Sequence, residues 1–228
     1  MMLHRFFYSV FLLSMLHGLD YEYYFDNRYD DAISIYEKIR PLMEERISKL
    51  DGEFDCAMSI IFPELLRYSL IRDKIETAAL EVFYKKLGHD YANFSIGLFQ
   101  MKPLFIERLE KEIIGFDDLE RYHFISEYDK ELGDEEVREV RLSRLKDIHW
   151  QIDYLISFMK IMDRNIESKN ERSKVRLYST AFNCGIWDNV EKIDHVSNKN
   201  LFPYGMRSNK NICSYSDLSL HFFSSYLN

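Results

Sequence analysis

Residues 53–69 read EFDCAMSIIFPELLRYS, an almost wholly apolar run with one acid, Glu64, set directly after Pro63. The segment reads as an apolar helix, and the fold follows from what must pack around it. Glu64 has Ile60, Ile61, Phe62, Leu65 and Leu66 as neighbours in sequence. Desolvation by such neighbours raises a carboxyl pKa towards neutrality, which is what a general acid needs. A plainer reading leaves one helix face in water, where Glu64 and Arg67 form a weak solvated i,i+3 pair. The local sequence leaves both open.

Helical patterns flank this run on both sides. LDYEYYFDNRYDDA (19–32) reads as an extended lead-in. A helix is expected from Asp30 or Asp31 to about Leu50, kinked at Pro41 and ended by Asp51-Gly52. A further helix runs from about Arg72 to Leu87 and stops at Gly88, and another from Pro103 to about Ile114. The most regular pattern spans Asp134 to Ile166, where Leu145, Ile148, Ile152, Leu155, Met159 and Met162 recur at helical spacing as a packing stripe. After the polar break SKNERSK (168–174), VRLYSTAFN (175–183) forms a short helix, and the last helix lies near Ser216 to Tyr226. The chain holds 8 Gly and 4 Pro in 228 residues, too few for the turns of an all-β protein, so the expected class is all-α. Apolar residues at 46% against 30% charged describe a globular chain able to bury one core.

A net charge of −8 with no basic run argues against nucleic acid as a partner. Residues 1–18, MMLHRFFYSVFLLSMLHG, begin with a positive Arg5 followed by a short apolar stretch, Phe6 to Leu16. That run is short for a spanning helix of ~20 residues and fits a secretory signal, so an exported protein is expected. The alternative is an uncleaved apolar N-terminal segment that packs. In an exported chain one pair among Cys56, Cys184 and Cys213 can bridge, leaving one thiol over.

Two later stretches bear on Glu64. SIGLFQMKP (95–103) sets Gln100 between Phe99 and Met101 behind Gly97. YSTAFNCG (178–185) carries Asn183. Together, in this order, these features resemble the soluble lytic transglycosylases of the lysozyme-like superfamily. That family has one catalytic Glu on a helix, a Gly-Leu-Met-Gln segment after it, and an Ala-Tyr-Asn-Ala-Gly segment near the end. Gly97, Leu98, Phe99 and Gln100 stand for the second element, and Ala181, Phe182, Asn183, Cys184 and Gly185 for the third. The likeness covers about Glu53 to the C-terminus and implies three parts: a signal at 1–18, a helical extension at 19–52 and a lysozyme-like domain at 53–228.

The resemblance implies cleavage of the β-1,4 bond between N-acetylmuramic acid and N-acetylglucosamine in peptidoglycan glycan strands, with Glu64 as both acid and base and a 1,6-anhydro product. Gly97, Phe99, Gln100, Met101, Tyr178, Phe182 and Asn183 are then expected to bind substrate. Amides donate and accept hydrogen bonds to sugar hydroxyls, and soft apolar side chains cover sugar faces. Gly97 lets backbone approach the ligand. Phe182 stands where the family usually has Tyr, with Tyr178 a turn earlier as a candidate replacement hydroxyl, and Leu65 stands where Ser is common. A helix-patterned segment, IETAALEVFYKKLG (75–88), separates Glu64 from Gly97. These departures keep two alternatives: a non-catalytic peptidoglycan-binding or envelope-assembly protein that retains the groove, and a hydrolysing muramidase. No cofactor and no metal site is expected, since no histidine pair has metal-ligand spacing, and His149 with Asp153 reads as a helix-surface pair.

Overall fold

The structure is a computed structural model that describes residues 20–70, 74–205 and 208–227. The expected secretory segment, 1–18, lies outside the described residues. The chain is all-α: 71% is helical, and the described residues contain no strand or sheet. Its helices are α1 (Tyr21–Phe25), α2 (Asn27–Lys49), α3 (Phe54–Leu70), α4 (Lys74–Leu87), α5 (Pro103–Ile113), α6 (Asp134–Lys146), α7 (Ile148–Asn165), α8 (Glu171–Cys184), α9 (Val190–Ser197) and α10 (Tyr215–Phe222). A 3₁₀ segment, Asp117–Ser126, precedes α6, and a π turn, Phe223–Leu227, follows α10.

Helix α3 is the axis of the molecule and packs against α2, α7, α8, α10 and the π turn. Ile60, Ile61, Phe62, Leu65 and Leu66 are all 0% exposed, so the helix is buried on every side over this stretch. Each such side chain contributes about 1.5–3 kcal/mol by leaving water. Phe62 stacks on Phe222 of α10 with ring centroids 4.1 Å apart. The helix continues through Pro63, as α2 does through Pro41.

Several elements differ from the sequence expectation. Residues 21–25 are helical rather than extended, because the Asp20 side chain accepts from the Tyr23 amide (3.0 Å) and starts a turn. The long 134–166 pattern divides at Asp147, which adopts extended backbone and caps α7 by accepting from the His149 amide (2.8 Å). The apolar stripe runs on across this break, so periodicity alone does not register it. Helix α7 is buried nearly all round, not along one stripe. Asp153 accordingly is no surface partner of His149; it is fully buried and accepts from Arg46 of α2 at 2.6 Å and 2.5 Å. All three cysteines are free thiols, so the bridge that an exported chain could form among them is not made here.

A second buried ion pair sets the position of α5. Glu110 accepts from Arg141 of α6 at 2.7–3.1 Å and from the hydroxyls of Tyr154 (3.3 Å) and Tyr128. Arg141 also reaches the Tyr84 hydroxyl of α4 (2.9 Å) and Glu107 (3.2 Å). Three helices, α4, α5 and α6, thus meet at one guanidinium, with α7 joined through Glu110, and the first turns of α5 line a cleft with α3. Removing one partner of a buried pair strands the other charge, at about 3–5 kcal/mol. Urea denaturation of Arg141→Met should show a loss of this size; a loss below about 1 kcal/mol would mark the pair as effectively solvated.

Candidate functional site

Three segments far apart in sequence enclose a cleft of about 470 Å³. Helix α3 contributes Glu64 and Arg67; the loop before α5 and its first turns contribute Asn93, Gln100, Lys102 and Phe105; the end of α8 and the turn beyond it contribute Phe182, Asn183 and Trp187. Each segment is held by local chemistry. Pro103 occupies the first position of α5, where a missing N–H costs nothing, and the Asn93 Oδ1 accepts the Leu104 amide (3.2 Å). Gly185 ends α8 in the left-handed region, φ 67°, and donates to the Ala181 carbonyl (2.8 Å). Arg108 then joins the two walls by donating to the Gly185 carbonyl (2.9 Å) and lying 4.4 Å over the Trp187 ring.

Glu64 is 3% exposed and lies against the cleft. Both its oxygens accept from one nitrogen, Arg67 Nη1, at 2.9 Å. The i,i+3 pair weighed from sequence is therefore made, but out of water. The Tyr215 hydroxyl from α10 has one proton and two buried acceptors in reach, the Ile60 carbonyl (2.9 Å) and the Glu64 carboxylate. Burial raises the Glu64 pKa above the ordinary carboxylate range, with Arg67, Tyr215 and Lys102 opposing it. Desolvation wins because the carboxylate has almost no solvent contact.

The expected substrate-binding residues divide. Gln100, Met101, Phe182 and Asn183 line the cleft with Glu64. Gln100 closes a tight loop in which Ile96 and Met101 exchange backbone hydrogen bonds (2.9 Å and 3.1 Å), and its Nε2 donates to the Gly97 carbonyl (2.7 Å). Asn183 accepts through Oδ1 from Arg67 Nη2 at 3.5 Å. Phe182 packs edge-on against Phe105 and Phe158, with centroids 5.4 Å and 5.6 Å away, giving the cleft an aromatic wall.

Gly97, Phe99 and Tyr178 do not line the cleft. Gly97 has φ 72°, and a Cβ there would come within 2.5 Å of the Leu145 carbonyl oxygen and meet the Gln151 amide. Its close approach is to the protein's own backbone, not to a ligand. Phe99 is fully buried, and its amide donates to Gln151 Oε1 of α7 (2.7 Å). Tyr178 donates to Asp163 (2.8 Å) on another side of α8, so it does not replace the hydroxyl that Phe182 lacks. The hydroxyl beside Glu64 comes instead from Tyr215, in the YSDLSLHFF stretch (215–223).

Sequence reasoning missed Gln151, Lys102, Arg108, Trp187 and Tyr215. A glutamine between Trp150 and Ile152 is the one local signal that pointed to Gln151. The others are brought in by tertiary packing. Among the described residues no group of three or more His, Cys, Asp or Glu side chains is placed to hold a metal ion. Cys184 borders the cleft half-buried, and burial pushes its thiol pKa up, away from the reactive thiolate.

The arrangement can hold one shielded proton donor against a ligand that presents hydroxyl or amide groups beside apolar faces. Comparison with protein-family models, with curated proteins and with solved structures finds no match to this chain.

Two outcomes follow. Arg67→Gln should move the Glu64 titration midpoint further upward, because removing the cation disfavours the ionised form; ¹³C NMR of labelled Glu side chains reads this directly. The stability linked to Glu64 has the matching sign: present below the ordinary carboxylate range and lost as pH rises through its raised folded value. Gly97→Ala should cost about 1–3 kcal/mol in thermal unfolding, since an L side chain there is strained at its φ and meets backbone.

Proposed function

We propose that this chain is a lytic transglycosylase of lysozyme-like type, acting on peptidoglycan glycan strands outside the cytoplasmic membrane. The observation that carries the reading is one carboxyl group, shielded from water and raised in pKa, bordering the same cleft as three side-chain amides, Asn93, Gln100 and Asn183, and an apolar wall. Glu64, protonated, donates its proton to the glycosidic oxygen as the bond to the muramic carbon breaks, and positive charge builds on the ring. The carboxylate so formed removes the proton from the muramic 6-hydroxyl as that oxygen closes on the ring carbon. The proton returns to Glu64, the leaving sugar departs with the first proton, and a 1,6-anhydro end remains. No second carboxylate is required, and no other acid borders the cleft among the described residues. Gln100 and Asn183 hold the sugar's hydroxyl and N-acetyl groups, and Phe182 with Met101 covers its faces.

A second reading, a binding protein that keeps the cleft without cleavage, draws on the Arg67 contact: with both Glu64 oxygens on one guanidinium, the acid is ion-paired in the free chain. Purified sacculi decide between them. Glu64→Gln should cut muropeptide release about 10²–10⁴-fold while leaving the fold intact. Mass spectrometry should find anhydro ends; reducing ends would instead indicate a hydrolase. Strand binding by the parent chain with no soluble product would select the second reading.

A further inference from the structure

The joint between α1 and α10 holds a histidine whose outer nitrogen has nothing to bond. His221, on α10, packs against α1 and α2: its ring centroid is 4.9 Å from that of Tyr21 and 6.2 Å from that of Tyr29. Its Nε2 is buried and has no hydrogen-bond partner. A neutral imidazole leaves one lone pair or one N–H unmet there; an imidazolium leaves an N–H and carries a charge as well. An aromatic joint therefore accepts the neutral ring more readily than the charged one.

Other charged groups surround the ring. Asp20 and Glu22, both exposed at α1, favour the imidazolium, and the Tyr226 hydroxyl of the π turn donates to Glu22 (3.0 Å). Tyr21 and Tyr29 contribute their phenols from α1 and α2, and Asp217, one turn earlier on α10, acts on Tyr21. Burial outweighs the two carboxylates and holds the His221 pKa below the ordinary imidazole value. The folded value being depressed, the stability linked to His221 is present above the ordinary value and lost as pH falls through the folded one.

The joint leads to the cleft. A helix of five residues does not stand alone, so α1 keeps its place through the two side chains it buries, Tyr21 and Phe25. Phe25 meets Phe202 edge-on, with centroids 6.0 Å apart, and Phe202 lies 5.1 Å under the guanidinium of Arg67, the counter-charge of Glu64. We propose that α1 is an acid-sensitive latch on the cleft: neutral His221 keeps it seated, and protonation of His221 unseats it, withdrawing Phe25 from Phe202 and loosening the aromatic support of Arg67. The charged ring is drawn towards Asp20 and Glu22 at the surface, out of the place where Tyr21 packs. The latch does not depend on what the cleft binds.

Hydrogen exchange of the full chain, corrected for the pH dependence of the chemical step, tests this at about pH 7.5 and about pH 5.5, on either side of the imidazole range. The amides of Tyr24 and Asp26, which donate to the Asp20 and Glu22 carbonyls (3.0 Å and 2.9 Å), should lose protection several-fold at the lower pH. Phe202, whose amide donates to the Cys213 carbonyl (3.0 Å), should lose protection with them. His221→Phe should keep all three protected at both pH values. Histidine-ring NMR of the parent chain gives a readout that needs no variant: His221 should titrate at lower pH in the folded chain than in urea. Equal protection at both pH values, or an equal loss in parent and His221→Phe, overturns the latch. So does a loss at α1 that leaves Phe202 protected, or one His221 midpoint in folded and unfolded chain. None of these outcomes bears on the glycan reading, which the sacculus assay decides separately.

Discussion

The physical constraint on which the structure turns is the enclosure of α3 on all sides with a carboxyl group on it. Apolar burial around Ile60 to Leu66 holds the neighbouring helices in place, and the same enclosure strips water from Glu64. An isolated carboxylate at such a position would carry a desolvation cost that the fold could not absorb. Arg67, three residues on and held over Phe202 and Tyr215, offsets it at a single nitrogen. The outcome is a group kept between two states: paired well enough to be tolerated, desolvated enough for its pKa to rise.

The remaining buried charges serve a different end. Arg46 with Asp153 ties α2 to α7, and Arg141 with Glu110 ties α6 to α5. Neither pair lines the cleft, and the second holds α5, whose first turns form one of the cleft walls. Buried pairs of this kind are weak contributors to net stability but are costly to break, so they select one packing arrangement over its neighbours. The Gly97–Gln100 loop is fixed in the same spirit, by one α7 glutamine that accepts from Phe99 and leaves room for no side chain at Gly97. Apolar packing supplies the compactness here, and polar pairing supplies the register.

The aromatic wall shows how a cleft can be lined by apolar rings and still keep a hydroxyl beside its acid. Phe182 sits among Phe105, Phe158 and Trp187, where a phenol would need a partner for its hydroxyl. The hydroxyl within reach of Glu64 comes from Tyr215 on α10, not from the YSTAFNCG segment that carries Phe182. Position in a motif and position in space need not coincide; a hydroxyl beside a carboxylate has the same chemistry whichever helix delivers it.

The amino-acid sequence by itself determined the helical class and the approximate spans of most helices after α1, because apolar periodicity, capping residues and local composition act over a few neighbours; it left open α9, the break at Asp147 and the shielding of Glu64. It also marked Gln100, Met101, Phe182 and Asn183, whose side chains follow directly from the local turn or helix end that carries them. Only the tertiary structure decided that Gly97, Phe99 and Tyr178 face the protein interior, that Asp153 is buried, and that Arg67, Lys102 and Arg108 share one cleft with Glu64. Those outcomes depend on which face of each helix meets which partner, a matter of packing between residues as far apart as 46 and 153, and no short-range rule of spacing encodes it.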